Sequence, residues 1–149
     1  ASLSQEEFTR MRRKALLDTG FLIAVLNADD ELHEACVTAF LKETPKPLLP
    51  DMVVPELAYM ILRERSYPIL IDFLHTLVAG ELSIERTSSE DLARAAELLE
   101  KYADSRIDFV DCIITAMAER LKIRRILTVD RRDFQLLRPK HCSYFEIVP

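Results

Sequence analysis

Glycine is scarce in this chain of 149 residues, occurring only at Gly20 and Gly80. GxGxxG needs three glycines, and GxxxxGK needs two that are five positions apart, so the dinucleotide-binding and P-loop classes are excluded. Cysteine is nearly as rare. Cys36, Cys112 and Cys142 are odd in number and widely spaced, and they form no CxxC. That argues against a disulfide framework and a zinc ribbon, and it predicts a reducing, cytoplasmic setting. His33, His75 and His141 are scattered, and no HExxH or other close ligand spacing occurs. Long apolar runs are missing too. None reaches the roughly 18 residues of a membrane span, and "ASLSQEEFTRMRRK" at the N-terminus has no apolar segment of the kind a secretory signal needs.

What is present suits one domain with one core. Apolar residues make up 49 % and charged residues 30 %, the balance of an ordinary globular protein. There is no internal repeat and no low-complexity linker. The net charge of -5 counts against a protein that coats nucleic acid. It is compatible with an enzyme that meets a phosphodiester through metal ions, because the ions reverse the local sign.

Periodicity predicts alternating strands and helices. Ser4 and Glu7 have capping-box spacing, which predicts a short helix over 5–13. "KALLD" (14–18) reads as a buried strand, with a helical turn or two in "FLIAVLN" after Gly20. Leu32, Ala35, Cys36, Ala39 and Phe40 give helical spacing over 29–42. "PLLP" is a brief extended piece. "MVVPELAYMILRE" is helical, with Pro55 in its first turn, and a further helix spans 67–78. "LSIERT" (82–87) alternates as a strand. Thr87 and Glu90 then have capping-box spacing before a helix whose apolar face is Leu92, Ala95, Ala96, Leu99 and Tyr102. Residues 109–121 are apolar nearly all round, which predicts a buried helix. "RRILTVD" (124–130) and "YFEIV" (144–148) are strands. This alternation predicts an α/β fold with a parallel sheet covered on both faces, and a crevice at the carboxyl ends of its strands.

That crevice is where the acids fall. Asp18 ends one strand and Asp130 another. Asp111 and Glu56 each lie in the first turn of a helix. Each has an ordinary structural reading as well. Asp108 and Asp111 suit a helix cap with an acidic partner, Asp18 a turn, Glu56 a first-turn glutamate, and Asp130 an ion pair with Arg131 or Arg132. Brought together, four carboxylates among apolar residues repel one another. A divalent cation removes that repulsion, and oxygen-only ligands point to Mg²⁺ or Mn²⁺.

The order "LLDTG … VPELAYMIL … IDFVDCIITAMAERL … ILTVDRRDF" resembles the PIN-domain family, in particular the VapC-like ribonuclease toxins. The resemblance covers roughly residues 15–148, leaving 1–14 as an N-terminal extension before a single PIN-like domain (15–149). It implies a three-layer α/β/α fold with a central, mostly parallel sheet, and hydrolysis of RNA phosphodiester bonds with Mg²⁺ or Mn²⁺. It implies catalytic and metal-binding roles for Asp18, Glu56, Asp111 and Asp130, with Asp108 as a secondary metal ligand and Thr128 as a substrate contact. Many members carry Asn or Ser where this chain has Gly20, so any contact made by that side chain is missing here.

A toxin of this class also implies an antitoxin protein as partner, a homodimer and no membrane association. The alternative is a PIN-like scaffold with little or no nuclease activity that acts through a protein partner. A receiver-like phosphoacceptor fits poorly, since no lysine follows the last strand. A DxD phosphatase fits poorly because position 20 is Gly. Arg12, Arg13, Lys14, Arg106, Arg124, Arg125, Arg131, Arg132, Arg138 and Lys140 flank the acidic motifs and suit a basic rim for RNA phosphates. Arg131 and Arg132, directly after Asp130, are the leading candidates for substrate binding. No aromatics are interleaved with them in sequence.

Overall fold

The computed structural model describes residues 2–7, 9 and 14–149. Among them five strands form one fully parallel sheet: β1 (Ala15–Leu17), β2 (Leu48–Pro50), β3 (Ser83–Glu85), β4 (Arg125–Leu127) and β5 (Glu146–Val148), in the order β3-β2-β1-β4-β5. The helices are α1 (Thr19–Leu26), α2 (His33–Lys42), α3 (Val53–Arg63), α4 (Tyr67–Val78), α5 (Ser89–Lys101), α6 (Phe109–Leu121) and α7 (Arg131–Leu136). The strand order reverses between β1 and β4, which opens a crevice beyond their carboxyl ends. The α/β architecture is therefore the one expected.

The Ser4–Glu7 capping box is present. Glu7 N–H donates to Ser4 Oγ at 3.2 Å and Ser4 N–H to Glu7 Oε2 at 2.8 Å. Residues 5–7 and 9 are helical, and the rest of the predicted 5–13 helix lies outside the described residues. Arg12 and Arg13 of the predicted basic rim lie there too.

The three inner strands β2, β1 and β4 bury their middles because helices cover both sheet faces, whereas Ile84 in the edge strand β3 is exposed. Leu16, Leu17, Leu49, Ile126 and Leu127 are fully buried. The strands are shorter than the alternation suggested, since their ends turn directly into caps. α6 is enclosed, every residue from Val110 to Glu119 being buried. This is why its sequence is apolar all round.

Three local expectations shift. α2 begins at His33 rather than Asp29. The side chains of Asn27 and Asp30 accept from Asp29 N–H (3.0 Å) and Leu32 N–H (2.8 Å), holding 27–32 in turns. The capping box of α5 is Ser88–Asp91, not Thr87–Glu90. Thr87 is drawn to Asp51 at the end of β2, its N–H and hydroxyl donating to that carboxylate at 2.9 and 2.5 Å. The buried face of α5 turns accordingly, to Asp91, Ala95 and Leu98, leaving Leu92 exposed. α5 and α6 are clamped by charge where they cross. Arg94 reaches Glu119 at 2.8 Å, and Arg120 reaches Asp91 at 2.9 Å and Glu85 at 3.1 Å.

Candidate metal centre

Four chain segments deliver acids to the crevice. Asp18 follows β1 and caps α1, its Oδ1 accepting from Thr19 N–H at 2.8 Å. Its Oδ2 accepts from the Thr128 hydroxyl at 2.6 Å. Thr128 follows β4, and its oxygen also accepts from Asp130 N–H at 2.9 Å. One buried hydroxyl thus ties the ends of the two central strands together. The predicted substrate contact, Thr128, is only 1 % exposed, and both of these bonds run to the protein.

The two DxxD segments adopt one design. Asp108 caps α6, accepting from Val110 N–H at 2.8 Å, and Asp111 stands in the first turn. Asp130 caps α7, and Asp133 stands in its first turn. Carboxyl oxygens of Asp111, Asp130 and Asp133 all lie within 4.8 Å of one another. Asp111 and Asp133 are buried at 4 % and 5 % exposure, and Asp130 is the more open of the three. Asp18 is outside this tight group, with its oxygens held by Thr19 and Thr128, and so are Glu56 and Asp108. Glu56 is half-buried in the first turn of α3, close enough for its charge to act on Asp18.

Asp133 is the residue the sequence reading missed. Its signal was the acid three positions after Asp130, the same spacing as Asp108–Asp111. Its carboxylate accepts from Arg132 Nη1 at 2.7 Å and from Asp108 N–H at 3.4 Å. The ion pair foreseen for Asp130 is therefore made by Asp133 instead. Arg132 also donates to Ser105 O at 2.5 Å, and Arg131 donates to the Pro149 carbonyl.

The electrostatics show the cost of this assembly. Burial, above all, pushes the Asp18 carboxyl up to about 6; the bonds from Thr128 and Thr19 oppose this, and the charges of Glu56 and Asp130 add to it. Asp111 is driven far higher. Burial acts first, then the charge of Asp18, a hydrogen bond with Asp133, and the charges of Asp108 and Asp130. Asp111 Oδ2 is buried with no hydrogen-bond partner. A buried carboxylate oxygen without a donor is expensive, and the Asp111 carboxylate lies beside two others. The donor set is all oxygen, so it fits a hard divalent cation. Burial pushes the neighbouring Cys112 thiol up to about 12, which keeps it protonated.

A family model for the PIN domain matches residues 15–138. The chain belongs to the PIN-domain family. It is 28 % identical over 134 residues to Ribonuclease VapC26 of Mycobacterium tuberculosis, covering 90 % of this chain and 99 % of that one. Its fold is similar to the Mycobacterium tuberculosis toxin VapC20, described as cleaving the sarcin–ricin loop, with TM-score 0.79 and 18 % identity over 91 % of this chain and 100 % of the other. It is also similar to a chain of the DNA-bound VapBC complex of Salmonella typhimurium, with TM-score 0.66 and 14 % identity over 90 % of this chain and 97 % of that one. Among the described residues no helix is long and apolar enough to cross a membrane.

Proposed function

We propose that this protein is a metal-dependent endoribonuclease, the toxin of a toxin–antitoxin pair, acting in the cytoplasm. One observation carries the reading: the Asp111 carboxylate, which keeps a buried oxygen without a hydrogen-bond partner, groups within 4.8 Å with those of Asp130 and Asp133 at the switch point of a parallel sheet. Asp111, Asp130 and Asp133 would hold Mg²⁺ or Mn²⁺, with Asp18 and Glu56 as further ligands. The bound cation supplies a lowered pKa for water and charge stabilisation for an in-line displacement at phosphorus. The chain's residues do the rest. Thr128 and Thr19 fix the Asp18 carboxylate in one orientation. Glu56 also orients the attacking water. Asp108 caps α6 and so sets the position of Asp111.

Ribonuclease VapC26 and the VapBC structures support RNA as substrate and an antitoxin as partner. A protein-binding face, for antitoxin or a second copy of the chain, is supported by the exposed stripe Tyr67, Ile71, Leu74 and Val78 along α4. The test is cleavage of mixed RNA with Mg²⁺ or Mn²⁺ and a chelator control. Chelator-sensitive cleavage that disappears in Asp111→Asn is the expected result. Absence of cleavage by wild-type protein in either metal would favour the scaffold instead.

A further inference from the structure

The fold supplies an aromatic that the sequence order hides. Tyr144, 70 % exposed, sits just before the edge strand β5, far in sequence from the arginines it joins. A groove of about 440 Å³ is lined by Arg131, Gln135, Arg138, Tyr144, Glu146 and Ile147, over a floor of Phe134 and Phe145. A second groove of about 630 Å³ holds Arg124, His141, Tyr144 and Glu146. Tyr144 therefore stands between the two, with arginine on either side. The Glu146 carboxylate pairs with Arg125 Nε at 3.4 Å, Arg125 being shared with Glu43 at 3.2 Å, and against this one carboxylate the two grooves bring Arg124, Arg131 and Arg138. Arg138 donates one N–H to Gln135 O at 2.5 Å, which leaves most of its five donors available. This basic edge belongs to a chain of net charge -5, so it does not follow from composition. At one end it reaches Arg131, the residue after Asp130.

We propose that the β5 edge is a track for single-stranded RNA. A base stacks on the Tyr144 ring while Arg124 and Arg138 contact flanking phosphates, and the strand passes Arg131 into the carboxylate cluster. The proposal rests on the ribonuclease reading for its choice of ligand. Single strands are favoured because a base must be free of its neighbours to stack on a side chain. Arginine on both sides of an aromatic is the arrangement that grips backbone and base together.

The test measures binding apart from cleavage, by fluorescence anisotropy of a short labelled single-stranded RNA of mixed sequence in EDTA. Tyr144→Ala should weaken binding at least about fivefold, and Tyr144→Phe should restore it. Arg138→Gln should weaken binding and reduce the salt slope by about 0.7. Duplex RNA should bind wild type and Tyr144→Ala alike. With metal present, Tyr144→Ala should raise KM by the same factor and leave kcat unchanged. Wild-type affinity in both Tyr144→Ala and Arg138→Gln would overturn the track, as would failure of the wild-type protein to bind RNA. So would a Tyr144→Ala protein that loses an antitoxin while keeping RNA. RNA binding that depends on Tyr144 in a protein that cleaves nothing would sink the nuclease reading and leave the track standing.

Discussion

Thr128 donates its hydroxyl to Asp18 at 2.6 Å and accepts the Asp130 N–H at 2.9 Å. A single buried oxygen thereby fixes acids that lie 112 residues apart in sequence. Thr128→Val keeps the shape and removes both bonds. It should cost about 1–3 kcal/mol in chemical denaturation and lower cleavage by at least about tenfold. Thr128→Ser should behave like wild type in both measurements.

The acids of the site are unfavourable in the metal-free protein. Asp18 and Asp111 have folded pKa values above the ordinary 3.8. A raised folded pKa contributes stability that is fully present below 3.8 and lost as pH rises through the folded value, about 6 for Asp18. Metal-free wild-type protein should therefore be more stable near pH 5 than near pH 7, in thermal melts in chelator. Asp111→Asn should flatten that dependence and gain on the order of 1–3 kcal/mol at pH 7, while abolishing cleavage. An Asp111→Asn protein less stable than wild type would contradict this account.

Metal should reverse the penalty. Mn²⁺ at saturating concentration should raise the melting temperature of wild type, because binding to the folded state alone stabilises it. The rise should shrink sharply in Asp133→Asn. Asp108→Ser keeps a capping oxygen and should retain most of it. Equal shifts in all three proteins would remove Asp133 from the ligand set.

Gly20 is glycine because of Val129. A Cβ at position 20 would meet Val129 Cγ2 at 2.8 Å, and the β-branched valine has little freedom to turn away. Gly20→Ser should therefore destabilise the protein by about 1–3 kcal/mol through overpacking and disturb the Thr128–Asp130 segment. Adding Val129→Ala should recover most of the loss, a coupling that a double-mutant cycle reads directly.

The α5–α6 clamp predicts the opposite pH response. Burial raises Asp91, but its bonds from Arg120 and Ser88 outweigh this and hold it below the usual carboxylate range. A depressed folded pKa contributes stability that is present above 3.8 and lost as pH falls through the folded value. Asp91→Ala removes the ion pair and the carboxylate half of the capping box, and should cost about 2–4 kcal/mol at pH 7. The Mn²⁺-induced shift should survive, since the clamp lies outside the carboxylate cluster.

Much of the fold was legible because strands and helices carry different periods, and α6 stood out by lacking a polar face. The ambiguous features were those with two local solutions. Thr87–Glu90 and Ser88–Asp91 both fit a capping box, and only the tertiary partner Asp51 decides between them. Asp133 is hard to see in sequence because Asp130 follows an apolar strand pattern, and its role as the cap of a short helix shows only in the fold. Tyr144 is hidden for another reason: it stands apart in sequence from Arg131 and Arg138, and only the fold brings it to the groove they line.

Asp111 stands at the start of an enclosed helix and is only 4 % exposed, so water does little to offset its charge. On the proposed reading, the ion that serves the chemistry would also determine how long the folded chain survives. Depleting divalent cations should leave a looser protein that proteases cut sooner. Supply of metal would set the lifetime of this protein as well as its rate.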